Sequence, residues 1–159
     1  MNKSLLREAI LAQLRAELAR QTGAALLARD EAISEESRAE NKYDTHSQEA
    51  AYLAEGQARQ AGEVETSLAH YAAMPLPDFA PGDLIALGAV VELGRGDTRA
   101  WYFLGPRAGG LELRLEGRDV LVLTPQSPLG RELLGKRAGD TVRLPGRGGA
   151  AEHRIRSVA

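Results

Sequence analysis

The sequence predicts an α+β protein: an N-terminal antiparallel helical hairpin of coiled-coil type, then a small antiparallel β domain with one helix. Three observations lead there. Residues 4–33 hold no proline and repeat apolar side chains at three-four spacing, and residues 50–71 repeat that spacing. From residue 85 onward the pattern changes to short apolar runs separated by glycine-rich turns. The implied organisation is a hairpin over residues 1–74 with an acidic tip near 34–47, a proline-rich junction over 75–82, and a strand-rich domain over 83–159.

In the first helix Leu11, Leu14, Leu18, Ala25, Ala28 and Ala32 share one stripe; in the second Ala50, Ala54, Gln57, Ala61, Val64, Leu68 and Tyr71 do. Antiparallel pairing sets Leu11, Leu14 and Leu18 opposite Val64, Leu68 and Tyr71, with alanine facing alanine at the far end. Thirty helical residues at a rise of roughly 1.5 Å give an arm of about 45 Å. Gly23, Gly56 and Gly62 each cost about 1 kcal/mol relative to alanine, so bending or fraying is expected there. Pro75, Pro77 and Pro81 forbid a continuing helix and mark the junction. Beyond it, residues 85–93, 99–104, 111–115, 120–123, 141–144 and 153–158 read as strands.

Composition narrows the function classes. With 43% apolar and 26% charged residues among 159, the chain is globular, with room for one ordinary domain or two small ones. It has no cysteine, which removes disulfides, a thiol nucleophile and a cysteine zinc site. Glu8, Gln13, Arg15 and Glu17 interrupt any signal-peptide core, and no run approaches a membrane span, so a cytoplasmic protein without membrane contact is expected. The net charge of −2 conceals an asymmetry: residues 1–78 carry 8 basic against 13 acidic side chains, residues 79–159 carry 12 against 9. An acidic arm does not grip a phosphate backbone, so direct sequence-specific DNA binding is not expected. His46 near the tip is the one histidine placed for proton transfer, and polar surface is its commoner role; His70 and His153 form no metal-ligand spacing.

The most informative stretch runs from Ser127 to Asp140. Ser127 caps a short helix, Pro128 fits its first position, and Gly135 ends it in the left-handed conformation. Gly130, Gly135 and Lys136 imitate the spacing of a phosphate-binding loop, but Arg137 stands where a magnesium-binding Ser or Thr is required, and a capped helix leaves no loop for phosphates.

Ser127, Pro128, Leu129 and Gly130, then Leu133, Leu134, Gly135 and Lys136, then Gly139 with Asp140, resemble the C-terminal domain of the GreA/GreB transcription elongation factors. The resemblance continues in Leu87-Gly88, Tyr102, Gly105-Pro106, Pro145-Gly146 and Ile155, and a helical hairpin before a strand-rich domain is also the Gre architecture. It implies an FKBP-like fold for the second domain, bacterial RNA polymerase as partner, and a hairpin inserted into the polymerase side channel. It further implies that Ser127, Pro128, Leu129 and Gly130 belong to a polymerase-docking surface, although Leu129 also reads as core. No catalytic centre and no cofactor of its own are implied; the magnesium is that of the polymerase active site.

Gre factors present an Asp and a Glu, three positions apart, to that magnesium and help cut backtracked RNA. Aligning the family's Glu-Asn pair on Glu40-Asn41 puts Ser37 at the position of the Asp, while Glu36 and Asp44 offer displaced carboxylates. The tip residues implied are therefore Glu36, Ser37, Glu40, Asn41 and Asp44. A hydroxyl in place of a carboxylate removes a full charge from a magnesium site. Structure alone also accounts for these residues, since Ser37 with Glu40, and Thr45 with Gln48, form capping boxes.

Two outcomes stay open on the resemblance: stimulated cleavage of backtracked RNA, or occupation of the channel by a regulator without cleavage. A coiled-coil adaptor unrelated to polymerase is the third reading. The charged outer positions Arg7, Arg15, Glu17, Arg29, Glu55, Arg59, Glu63 and Glu65 speak against it and for a monomer. Prolyl isomerase activity is not expected, because Phe79, Trp101, Tyr102 and Phe103 are too few and too local to line an apolar pocket.

Overall fold

The computed structural model describes residues 1–36, 45–146 and 149–159. Helix α1 (Lys3–Glu36) and helix α2 (Thr45–Ala73) form the helical pair. They run unbroken through Gly23, Gly56 and Gly62, where bending or fraying is expected. Contacts divide the chain into two compact units, residues 11–69 and residues 1–10 with 70–159.

In the first unit the three-four stripe is the covered one. Leu11, Leu14 and Ala28 are buried, and Leu18, Ala25, Ala54, Gln57, Ala61, Val64 and Leu68 are half-buried. Ser67, beside the stripe, is buried too, and its hydroxyl donates to the Glu63 carbonyl at 2.9 Å, inside its own helix.

The second unit is built on β1 (Val90–Arg95), β2 (Thr98–Leu104), β3 (Glu112–Leu115), β4 (Arg118–Leu123), β5 (Thr141–Gly146) and β6 (Gly149–Val158), with α3 (Pro128–Leu133) between β4 and β5. They form one sheet in the order β3-β4-β2-β1-β6-β5. The expected antiparallel sheet is corrected at one pair: β2 and β4 run parallel, Trp101 beside Val120 and Leu104 beside Leu123. The chain between them is long enough to turn back through β3, which pairs antiparallel with β4 and allows the parallel crossover.

A second correction concerns residues 85–89, expected as the start of a strand. Gly88 adopts φ +88°, and a Cβ there would lie 2.9 Å from Pro77 Cδ, so the junction presses on a turn and the strand begins only at Val90. Ile85 still pairs by backbone, donating to the Lys136 carbonyl at 2.7 Å and accepting from the Gly135 amide at 3.0 Å.

One sheet face, with α3, encloses Ile85, Ala89, Val91, Leu93, Leu104, Leu123, Leu133, Val142 and Ile155. Strand alternation turns Val90, Phe103, Val120 and Val122 to the opposite face, where they are buried. The helix ends add the buried Leu6, Ile10, Tyr71 and Met74 to this unit. Each large aliphatic side chain among these contributes roughly 1.5–3 kcal/mol by leaving water.

Tyr71 is fully buried and donates its hydroxyl to the Arg107 carbonyl at 2.7 Å. Burial raises its pKa, against a smaller opposing effect of that hydrogen bond. Gly105 makes room for it, since a Cβ there would meet the hydroxyl at 2.0 Å. At the junction, Lys3 donates to the Pro77 carbonyl and its ammonium lies 4.9 Å from the centre of the Phe79 ring.

Candidate functional site

The segment that carries the resemblance is a capped helix held on the sheet. Ser127 sits extended at φ −67°, ψ 150°, its Oγ accepting from the Gly130 amide at 3.0 Å and donating to the Thr124 carbonyl at 2.8 Å. Pro128 opens α3, and Gly135 follows its end at φ +75°. Gly130 is buried for a steric reason, because a Cβ would lie 1.9 Å from the Thr124 carbonyl oxygen.

Leu129 is half-buried and packs against the core, while Pro128 is exposed. Gly139, at φ +98°, and Asp140 form the next turn, where the Asp140 carboxylate accepts from the Arg137 amide at 3.0 Å. Much of the Ser127-to-Asp140 pattern therefore serves the fold itself by seating one short helix and one turn. The surface left for a partner at this place is Pro128 and the open side of Leu129.

Of the tip residues, Glu36 is the last residue of α1, whereas Ser37, Glu40, Asn41 and Asp44 lie outside the described residues, as does the Ser37–Glu40 capping box. Thr45 is the first residue of α2, which also carries His46.

The helices hold something that the heptad reading passed over. Leu26, Leu27 and Ile33 of α1 are 56%, 72% and 53% exposed, and Tyr52 and Leu53 of α2 are 74% and 60% exposed. All five fall off the stripe positions, in the helix halves adjoining the α1–α2 connection. The signal was in the sequence: Leu26 and Leu27 follow Ala25 and Ile33 follows Ala32, so large apolar residues stand where the stripe has no use for them. Beside them Thr22, Ala25, Leu26 and Arg29 of α1 and Ala54, Ala58 and Ala61 of α2 line a groove of about 340 Å³.

The aromatic residues of the sheet do not converge on one pocket. Phe103 is fully buried, Trp101 and Tyr102 point to opposite faces by strand alternation, and Phe79 packs on the α3 side. Half-burial raises the pKa of Tyr102. Among the described residues no group of three or more His, Asp or Glu side chains is placed to hold a metal ion, and no helix is long and apolar enough to cross a membrane.

No family model and no curated protein sequence matches this chain. Solved structures to which it is similar include transcription factors of the Gre type. GreA factor homolog 1 of Thermus thermophilus is 21% identical over 95% of each chain, with a TM-score of 0.38. The transcription factor Gfh1 of another structure is 21% identical, covering 94% of this chain and 93% of that one, with a TM-score of 0.41. The elongation factor GreA/GreB of Nitrosomonas europaea is 20% identical over 60% of this chain and 78% of its own, with a TM-score of 0.39.

Proposed function

We propose that this protein is a Gre-like transcription factor that binds bacterial RNA polymerase, inserts its helical arm into the secondary channel and modulates elongation. The observation that carries the reading is the arm. Helices of 34 and 29 residues fill their mutual stripe with small and apolar side chains, yet keep Leu26, Leu27, Ile33, Tyr52 and Leu53 in water in the halves that adjoin the acidic 34–47 stretch of sequence. Five large apolar side chains left in water on these helix halves are candidates for a surface that a partner covers. At roughly 1.5 Å per residue, α1 is about 50 Å long, a length suited to reaching a remote centre.

On this reading the protein acts in the cytoplasm as a monomer, has no catalytic centre and lends groups to another enzyme. Glu36, Glu40 and Asp44 are the carboxylates offered to the polymerase's magnesium, with Ser37 in place of the family's Asp. Pro128 and Leu129 contribute to docking of the sheet unit. The second reading, channel occupation without cleavage, is favoured by Ser37, which supplies no charge.

The test is transcript cleavage in a stalled, backtracked elongation complex, run beside a polymerase-binding assay. Shortened RNA, lost when Glu36→Gln and Glu40→Gln are combined while binding persists, supports the cleavage reading. Binding without cleavage supports the channel-occupying regulator. Absence of binding refutes the proposal and leaves the adaptor.

A further inference from the structure

The sheet face opposite α3, covered at Val90, Phe103, Val120 and Val122, is open around Gly94 and carries a cluster there that is unrelated to the arm or to α3. Gly94 of β1 lies directly opposite Arg99 of β2 on one side and Arg154 of β6 on the other. Between Glu92 and Leu93 the β1–β6 register shifts, leaving Arg156 unpaired between Ile155, opposite Leu93, and Ser157, opposite Glu92. This bulge keeps Ile155 and Val158 on the core face while Arg156 and Ser157 both stand on the open one.

Arg156 lies over Gly94: its Nε is 2.7 Å, and Arg99 Nη1 is 3.0 Å, from where a Gly94 Cβ would be. A glycine inside a strand marks a close approach, and here it lets guanidinium groups gather low on the sheet. Glu92 takes Arg99 at 3.2 Å and accepts from Ser157 at 3.1 Å, and Glu152 accepts from Thr141 at 3.0 Å. Among the described residues no carboxylate lies within ion-pair distance of Arg154 or Arg156.

Along β2 on the same face, the half-buried Trp101 follows Arg99, with the Arg118 guanidinium of β4 5.4 Å from its ring centre and Glu116 3.8 Å from Arg118. From β6 to β4 the cluster crosses three strand spacings, about 14 Å.

We infer that this face, through Arg99, Arg154, Arg156 and Trp101, binds the backbone and bases of single-stranded nucleic acid without sequence preference. Arg154 and Arg156, which lack carboxylate partners among the described residues, exchange counterions for phosphates, and Arg99, paired with Glu92, flanks them. An aromatic ring among them supplies base stacking, a contact that an acidic peptide does not use. The inference stands apart from polymerase binding and is tested on the free full-length protein.

The chain has a single tryptophan, so Trp101 itself is the reporter. Titration with a labelled oligouridylate of roughly 16 nucleotides is followed by anisotropy and by tryptophan fluorescence at about 50 mM salt. Binding with quenching of Trp101 is expected. Combining Arg154→Ser with Arg156→Ser, both exposed, should weaken binding about tenfold and flatten the log–log salt dependence by about 1.4, the share of two phosphates. No binding, unchanged affinity in the double variant, or equal displacement by polyglutamate would overturn the inference.

Discussion

Gly130→Ala tests whether the Ser-Pro-Leu-Gly segment is held by packing. The new Cβ would lie 1.9 Å from the Thr124 carbonyl oxygen, 2.9 Å from its carbon and 2.7 Å from Ser127 Oγ. None of these can yield by a rotamer change alone, because the first two are backbone and the third is the helix cap. Overpacking of this kind costs roughly 1–3 kcal/mol, and loss of the Ser127 cap adds about 1 kcal/mol. A total near 3 kcal/mol, at roughly 4–8 °C per kcal/mol for a unit of this size, lowers Tm by at least about 12 °C. Trp101 lies in the same unit and reports its unfolding in urea or heat. Gly135→Ala is the control: nothing lies within 4 Å of its Cβ position, so only the strain of φ +75° is introduced, about 1 kcal/mol. Wild-type stability in Gly130→Ala, or a larger loss in Gly135→Ala, would refute the packing argument.

Four other changes follow from the same geometry. Gly105→Ala should destabilise strongly, and adding Tyr71→Phe should restore part of the loss, since the nearest remaining ring atom is at 3.0 Å rather than 2.0 Å; a double-mutant cycle in urea measures the coupling. Because the folded state raises the Tyr71 pKa above its ordinary 10.0, the unfolded chain releases that proton first. Stability should therefore fall above pH 10 by up to about 1.4 kcal/mol per pH unit, and Tyr71→Phe should flatten the slope. Gly23→Ala, Gly56→Ala and Gly62→Ala meet open space and should together raise helix stability by about 2–3 kcal/mol, read by far-ultraviolet circular dichroism on heating. Leu26→Glu with Leu27→Glu should leave folding within about 0.5 kcal/mol of wild type but weaken polymerase association; equal association in a pull-down would remove the support that the exposed apolar residues give to the arm's role.

Leu129→Lys separates packing from docking at α3. It meets the core on one side, so about 1–2 kcal/mol of stability should be lost, with polymerase binding reduced beyond that loss. Unchanged stability and binding would exclude both roles.

The features legible in the sequence rest on neighbours in the chain. The cap of Ser127 on Gly130, the stop at Gly135 and the three-four stripe from Leu11 to Ala28 join residues only a few positions apart, so the backbone geometry of a helix fixes them before any tertiary contact forms. The same local logic located the remaining strands to within a few residues, and failed at residues 85–89, where Pro77 and a left-handed Gly88 interrupt an apolar run. The resemblance to Gre factors drew on these local signals. The tip residues Ser37, Glu40, Asn41 and Asp44 lie outside the described residues, so the proposed tip site is read from sequence.

What only the tertiary structure decided involves residues far apart in the chain. The parallel alignment of β2 with β4, the cavity that Gly105 leaves for Tyr71, the contact of Gly130 with Thr124 and the approach of Arg99 and Arg156 over Gly94 each depend on distances that no periodicity encodes. The sequence by itself determined which segments become helix or strand and how they end, because those choices are set by backbone preference and alternation. The structure decided which glycines are obligatory and which side chains stay in water, because both depend on what another segment brings within 3 Å.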